Sequence, residues 1–251
     1  MKIKTFILLI LFPLLSVSSA MSQSKIHADE AYTQEQYDEA IRLYEQLLAE
    51  KGPSADVYYN LGNAYFRIDS LSAAILSWER ALRIQPSDDD ARFNLQLARS
   101  KTVDKIASER EMFFVTWYRS LVQAFSVDVW AVIGLASLAL ALVLALVWFF
   151  AFGERLRRVS FSAAAALLVV FLLSNLFAWQ QQRALQRHDE AIVMVQSLSV
   201  KSTPAAGGSD DFTIHAGTKV TITDDTMSDW KQILLPDGRE GWVKASEIEK
   251  I

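Results

Sequence analysis

The chain has 251 residues, a formal net charge of −4 and no cysteine. So small a charge gives no argument for a nucleic-acid partner or a strongly charged ligand, and no nucleic-acid partner is expected. The missing cysteines exclude disulfides, zinc–thiolate sites, a cysteine nucleophile and a lipid-modified N-terminal cysteine.

Residues 1–20 have the order of a secretory signal peptide. Lys2 and Lys4 make a basic start, Phe6 to Leu15 an apolar middle, and Ser18, Ser19 and Ala20 a small-residue end. The apolar part is short for a membrane span, which favours cleavage over an uncleaved anchor. Either outcome leaves the topology of the rest unchanged.

Residues 24–101 repeat with a period of 34. Ala40 and Ala74, Tyr44 and Trp78, Tyr37 and Leu71, and Leu61 and Leu95 all stand at that spacing. The best-formed unit runs from about Ala55 to Asp88. It places Tyr58, Leu61, Gly62 and Tyr65 on one helix, Ala74, Trp78 and Ala81 on the next, and Pro86 at the close. These residues resemble the tetratricopeptide repeat, W-x2-L-G-x2-Y then A-x3-F then P, with Tyr58 and Trp78 as the two aromatics. Gly62 and Ala74 are small where the paired helices cross, and Tyr65 and Trp78 fill the space beside them. The unit before it keeps Tyr37, Ala40, Tyr44 and Leu47, has Ala28 at the glycine position, and needs a first helix at about Ser24 to Tyr32. Asp88, Asp89 and Asp90 suit a helix N-terminus. Ala91 to Lys101 is expected to be a terminal helix over the last apolar face, and an array this short needs help from a partner or the membrane.

The resemblance implies a concave groove made by the first helix of each pair. It places Tyr59, Asn60, Asn63, Phe66 and Arg67 on that groove. Asparagines there suit a peptide backbone or a terminal carboxylate, and Arg67 suits an acid. The alternative is that Asn60 satisfies a neighbouring backbone and Phe66 packs within the array.

Residues 102–128 keep a helical character. Phe113, Trp117, Leu121 and Phe125 recur every four residues, with Phe114, Tyr118 and Val122 beside them and Lys105, Glu109 and Arg110 ahead. A stripe of this kind before a membrane span suggests an amphipathic helix in the interface. A stalk packed on the repeats is the other possibility.

Two apolar runs follow, 129–153 and 159–179, neither with a charged residue. At about 1.5 Å per residue each crosses a hydrocarbon core of about 30 Å. Together they read as a two-helix transmembrane hairpin, which puts both flanks on one side. The loop 154–158 contains Arg155, Arg157 and Arg158 against Glu154, and short arginine-rich loops stay cytoplasmic. The expected protein is therefore multi-pass in an inner membrane, with its N- and C-terminal domains in the periplasm. Trp130, Trp148 and Trp179 mark the ends of the runs. Small residues such as Gly134 and Ala163 to Ala166 permit close helix approach. The lone Asn175 does not make a channel or a proton path.

Residues 190–251 change to β character. Ala191 to Val195, Lys219 to Thr223, Trp230 to Leu235 and Gly241 to Val243 read as strands, with turns at Ser202 to Asp211 and Pro236 to Gly238. Some sixty residues of this kind suit a small all-β barrel. Val200 to Pro204, Ala216 to Val220, Asp229-Trp230 and Asp237 to Val243 resemble bacterial SH3-like domains. That resemblance implies that Trp230 and Trp242 are core or groove-edge aromatics, and two tryptophans also suit a peptide or glycan platform.

Catalytic chemistry is missing. His27, His188 and His215 form no metal-ligand pair and no triad, the carboxylates are scattered, and Gly207-Gly208 lacks a following Gly-Lys-Ser/Thr. No cofactor, metal site or enzyme activity is expected. The whole order, including Ala124-Phe125-Ser126-Val127-Asp128-Val129-Trp130 ahead of the first span, resembles the BatE-like proteins of aerotolerance (Bat) operons. The resemblance implies partners among membrane-bound von Willebrand A-domain proteins and a MoxR-type ATPase. The expected role is a membrane-held scaffold that binds protein or peptide partners through the groove and the barrel. The alternative is a peptidoglycan-binding protein that uses the barrel.

Overall fold

The computed structural model describes residues 24–105, 112–186 and 189–251. The expected signal peptide lies outside the described residues, as do Glu109, Arg110 and His188. The chain divides into two compact units. One combines the helices ahead of the apolar hairpin with the strands after it; the other holds the hairpin.

The described residues of the first unit start with five helices: α1 (24–33), α2 (Tyr37–Lys51), α3 (Ala55–Arg67), α4 (Leu71–Ile84) and α5 (Asp89–Lys101). The repeat extends to the backbone. Glu35 and Asp69, one period apart, both take positive φ (60° and 58°) in the turns between paired helices. α5 starts where the aspartates placed it, because the Asp88 side chain accepts a hydrogen bond of 2.9 Å from the Ala91 N–H. Ala28, Ala40, Tyr44, Leu47, Val57, Leu61 and Ala64 form one core cluster between α1, α2 and α3. Gly62 marks the closest approach of α3 and α4, since a Cβ there would lie 2.6 Å from Trp78 Nε1.

Seven strands follow: β1 (Glu190–Val193), β2 (Ser197–Lys201), β3 (Asp210–His215), β4 (Lys219–Asp224), β5 (Trp230–Leu234), β6 (Glu240–Lys244) and β7 (Ile248–Lys250). They form one antiparallel sheet in the order β3-β2-β6-β5-β4-β1-β7. Flat strands spaced about 4.8 Å apart would hold β3 and β1 more than 20 Å from each other. Yet Ile214 of β3 and Ala191 and Val193 of β1 share one core with Leu198, Val200, Val220, Ile233 and Val243. The sheet therefore curls around a single apolar interior. β2, β3 and β7 join the strands expected from sequence. β3 opens on two aspartates and β7 is three residues long, so neither carries a clear alternating pattern.

The barrel packs on the helices. Ile192 and Ile251 are buried not in the barrel's own core but with Ala74, Ile75, Leu76, Trp78, Leu95 and Ala98. The segment after α5 joins in: Thr102 is buried, and Asp104 accepts hydrogen bonds from the His215 N–H (2.6 Å) and the Thr218 hydroxyl (2.7 Å). Thr102 and Asp104 thus belong to this contact, and residues 102–105 are not part of the helix expected over 102–128.

The second unit contains α6 (Phe113–Val122), α7 (Val127–Phe150) and α8 (Glu154–Gln186). α7 and α8 are long and apolar enough to cross a membrane, and most of their apolar side chains are exposed. The connection is shorter than the expected loop 154–158. It covers 151–153, and Glu154 to Arg158 form the first turn of α8, where Arg158 pairs with Glu154 at 3.0 Å. Charged residues do not end a helix. α8 likewise runs on through Gln180 to Arg183. The sequence Ala124 to Trp130 builds the corner between α6 and α7: Trp130 Nε1 donates to the Val122 carbonyl at 3.0 Å, and Phe125 and Phe177 meet its ring edge-on. Gln181 donates to the carbonyls of Val122 and Phe125, and Tyr118 donates to Gln180 Oε1 at 2.7 Å, so α6 is tied to α8. Phe113, Phe114 and Trp117 on α6 remain exposed.

Candidate functional site

Two surfaces of the first unit carry the residues singled out in the sequence. On the helical array, α3 is flanked by α1 and α5, and polar side chains join the three. Asn60 donates to Asp29 Oδ1 (3.1 Å), which also accepts from the Tyr44 hydroxyl (2.6 Å). Asn63 Oδ1 accepts from Asn94 Nδ2 (2.9 Å) and from Trp78 Nε1 (3.2 Å). Trp78 Nε1 also reaches the Tyr59 carbonyl. Burial, and its hydrogen bond to the Asp29 carboxylate, push the Tyr44 hydroxyl well above the ordinary phenol range. It stays a neutral donor.

The candidate groove residues thus have partners inside the array. Asn60 and Asn63 are half-buried and act as ties between neighbouring helices. Phe66 packs on Trp78 with ring centroids 5.6 Å apart, and the Lys101 ammonium lies 4.6 Å from the centre of the Phe66 ring. Arg67 is exposed, with its guanidinium 4.9 Å from the centre of the Tyr37 ring. Tyr59 is half-buried. Exposed apolar side chains stand at the equivalent positions of the neighbouring helices: Ile26 on α1, and Phe93 and Leu97 on α5, at 48%, 66% and 41% exposure. Phe93 and Leu97 stand one period after Tyr59 and Asn63, a signal the 34-residue spacing already contained.

On the barrel, alternation separates the two faces. Ile233 and Val243 point into the core and are fully buried, so Trp230, Gln232, Trp242 and Lys244 point outward. Trp230 pairs with Lys244, and Gln232 with Trp242, whose other neighbour is Lys201 on β2. The tryptophans are therefore diagonal neighbours, about 7–8 Å apart, on one outer face. Both are half-buried, and neither belongs to the barrel core. Lys201 is fixed at the edge of this face by Asp210 (2.8 Å) and the Gly208 carbonyl (3.1 Å). Elsewhere on the barrel, hydrogen bonds from Lys231 and Lys250 bring the Asp225 carboxyl down to about 2.

A third constellation has no local sequence signal. Glu79 on α4 is buried (8% exposed) and pairs with Arg99 of α5 and with Lys219 of β4 at 3.2 Å. Arg80 pairs with Glu249 at 2.9 Å, and Arg83 donates to the Ile251 carbonyl. At Asp104 burial opposes the charge, but hydrogen bonds from Thr218 and from the ring and backbone of His215 outweigh it and hold the carboxyl below its ordinary value. Apart from Glu79 and Arg99, these partners are more than a hundred residues apart in the chain, beyond any spacing rule.

Comparison with known proteins agrees with the two folds. Residues 27–90 match the tetratricopeptide repeat family, and residues 196–249 match the bacterial SH3 domain family. Both are as a rule binding folds, and neither match points to an enzyme family. No curated protein matches the chain. A crystal structure of the MamA protein aligns over 67% of this chain and 88% of that one, at 15% identity and a TM-score of 0.31. A likeness that loose carries no argument.

Proposed function

We propose that the chain is a membrane-anchored adaptor that presents a repeat groove and a barrel face to protein partners from one side of an inner membrane. The observation that carries this reading is the packing of the array on the barrel. The array precedes the apolar hairpin and the barrel follows it, so two pieces that share a buried core must lie on the same side of whatever the hairpin crosses. An even number of crossings satisfies this; a single crossing does not. The arginines at the tip of the hairpin favour a cytoplasmic tip, with both flanks in the periplasm. The exposed aromatics of α6 suit the lipid interface beside the spans.

On this reading the groove takes an extended peptide or protein segment. Ile26, Phe93 and Leu97 offer apolar contact, while Arg67 and Lys101 give the surface cationic positions. Anchoring confines the search to the membrane surface, and two linked weak sites bind together more tightly than either alone. The resemblance to BatE-like proteins makes von Willebrand A-domain proteins the partners to test first. Photo-crosslinkers at Arg67 and Phe93 in intact membranes should trap a discrete protein. A blank at both positions, with the protein correctly inserted, would overturn the reading.

The outer tryptophan pair favours a second reading, a barrel that grips peptidoglycan. Sedimentation of the detergent-solubilised protein with purified sacculi separates the two. Binding that Trp230→Ala and Trp242→Ala abolish supports the wall reading. Crosslinking at α3 and α5 without sedimentation supports the adaptor.

A further inference from the structure

The repeat array is incomplete at its C-terminal end. Phe93, Asn94 and Leu95 of α5 echo Tyr59, Asn60 and Leu61 of α3, so α5 is the first helix of a third pair. Among the described residues this unit contains no second helix for that pair, because the described chain after residue 105 resumes in the hairpin unit. Stacked repeats leave an apolar face at each end and need a cap that covers it.

The barrel stands where the missing helix would pack. Gly217, in the turn between β3 and β4, lies in the notch between α4 and the end of α5: a Cβ there would lie 2.9 Å from Ile75 Cδ1 and 3.0 Å from Thr102 Cγ2. Its φ of +83° also favours glycine. Ile192 and Ile251 complete the apolar cluster of α4 and α5 that would otherwise face water. Lys219 brings a second cation to the buried Glu79, and a buried acid is tolerated only when paired in this way. Asp104 closes the joint through Thr218 and His215.

We infer that the barrel is the C-terminal cap of the repeat array and that its docking holds α5, the last wall of the groove, in place. Asp104 is the latch, a positioning residue. α5 is held in this way whatever the groove binds.

Hydrogen exchange on the full-length protein in detergent micelles tests it, with two variants on opposite sides of the joint. Asp104→Ala removes the latch. Ile192→Ala hollows the joint and leaves the barrel's own core untouched, since Ile192 is not part of it. In both variants the amides of Leu95 to Lys101 and of β7 should exchange about ten- to a hundredfold faster. The amides of α2 and of β4 and β5 should keep their wild-type rates. Wild-type rates in α5 for either variant would overturn the proposal. So would a loss of protection spread evenly over array and barrel, which would mean one shared core rather than a cap holding one helix.

Discussion

Replacing Gly62 by alanine tests the packing of the array most sharply, because two opposing effects have known sizes. Alanine in a helix interior gains about 1 kcal/mol over glycine. Against this, the new methyl would lie 2.6–2.9 Å from three atoms of the Trp78 indole. Trp78 has nowhere to go: it is 1% exposed, Phe66 packs on its ring, and its Nε1 is held by Tyr59 and Asn63. Overpacking a filled core costs about 1–3 kcal/mol. Pulling the indole off its acceptors costs about 1 kcal/mol more. The expected net loss is about 2 kcal/mol. For a cooperative unit of roughly 150 residues that lowers the midpoint by about 4–8 °C. Thermal unfolding followed by tryptophan near-ultraviolet circular dichroism measures it. An unchanged or raised midpoint would show that helix propensity wins, and would refute a rigid Trp78 seat.

Other expectations follow from the barrel and the joint. Gly241→Ala places a methyl 2.5 Å from Val200 Cγ1 and 3.0 Å from the Lys201 carbonyl, and should cost about 1–3 kcal/mol in chemical denaturation. Trp230→Ala and Trp242→Ala remove side chains from the outer face, so the barrel should keep its far-ultraviolet spectrum; collapse of the fold in both would place the pair in the core after all. Asp104 is held below its ordinary value, so its contribution to the joint is complete above about pH 4 and lost as pH falls through the lower folded value. Protection of the His215 and Thr218 amides, measured against their intrinsic exchange rates at each pH, should therefore fall on acidification from pH 5 to pH 3. Asp104→Asn should lower stability at neutral pH by about 1–2 kcal/mol and flatten that acid dependence; an unchanged acid profile would assign it to another carboxylate.

Much of this architecture was legible in residue spacing. The period of 34 located the array, and the structure extends it to the backbone at Glu35 and Asp69, because each repeat must solve the same packing problem. The lack of charge over two long runs located α7 and α8. Alternation about Ile233 and Val243 defined the faces of the barrel once the strands were known. The joint was not legible. Glu79 with Lys219 and Asp104 with His215 join positions whose proximity is set by how two folds dock. The groove was legible only in outline: Asn60 and Asn63 sit on the expected helix, but only the neighbouring helices show that their amides meet Asp29 and Asn94. The loop 154–158 was placed by charge, whereas helix continuation depends on backbone hydrogen bonds that charged side chains do not interrupt.

An adaptor of this kind requires both flanks of the hairpin to share a side of the membrane while its tip lies on the other. A cysteine-free chain makes this measurable with single cysteines at exposed positions: Asp56→Cys on the array, Thr226→Cys on the barrel and Arg157→Cys at the tip. In right-side-out membrane vesicles, a membrane-impermeant maleimide should label the first two and spare the third until detergent is added. Labelling of only one flank, or of the tip alone, would contradict the account.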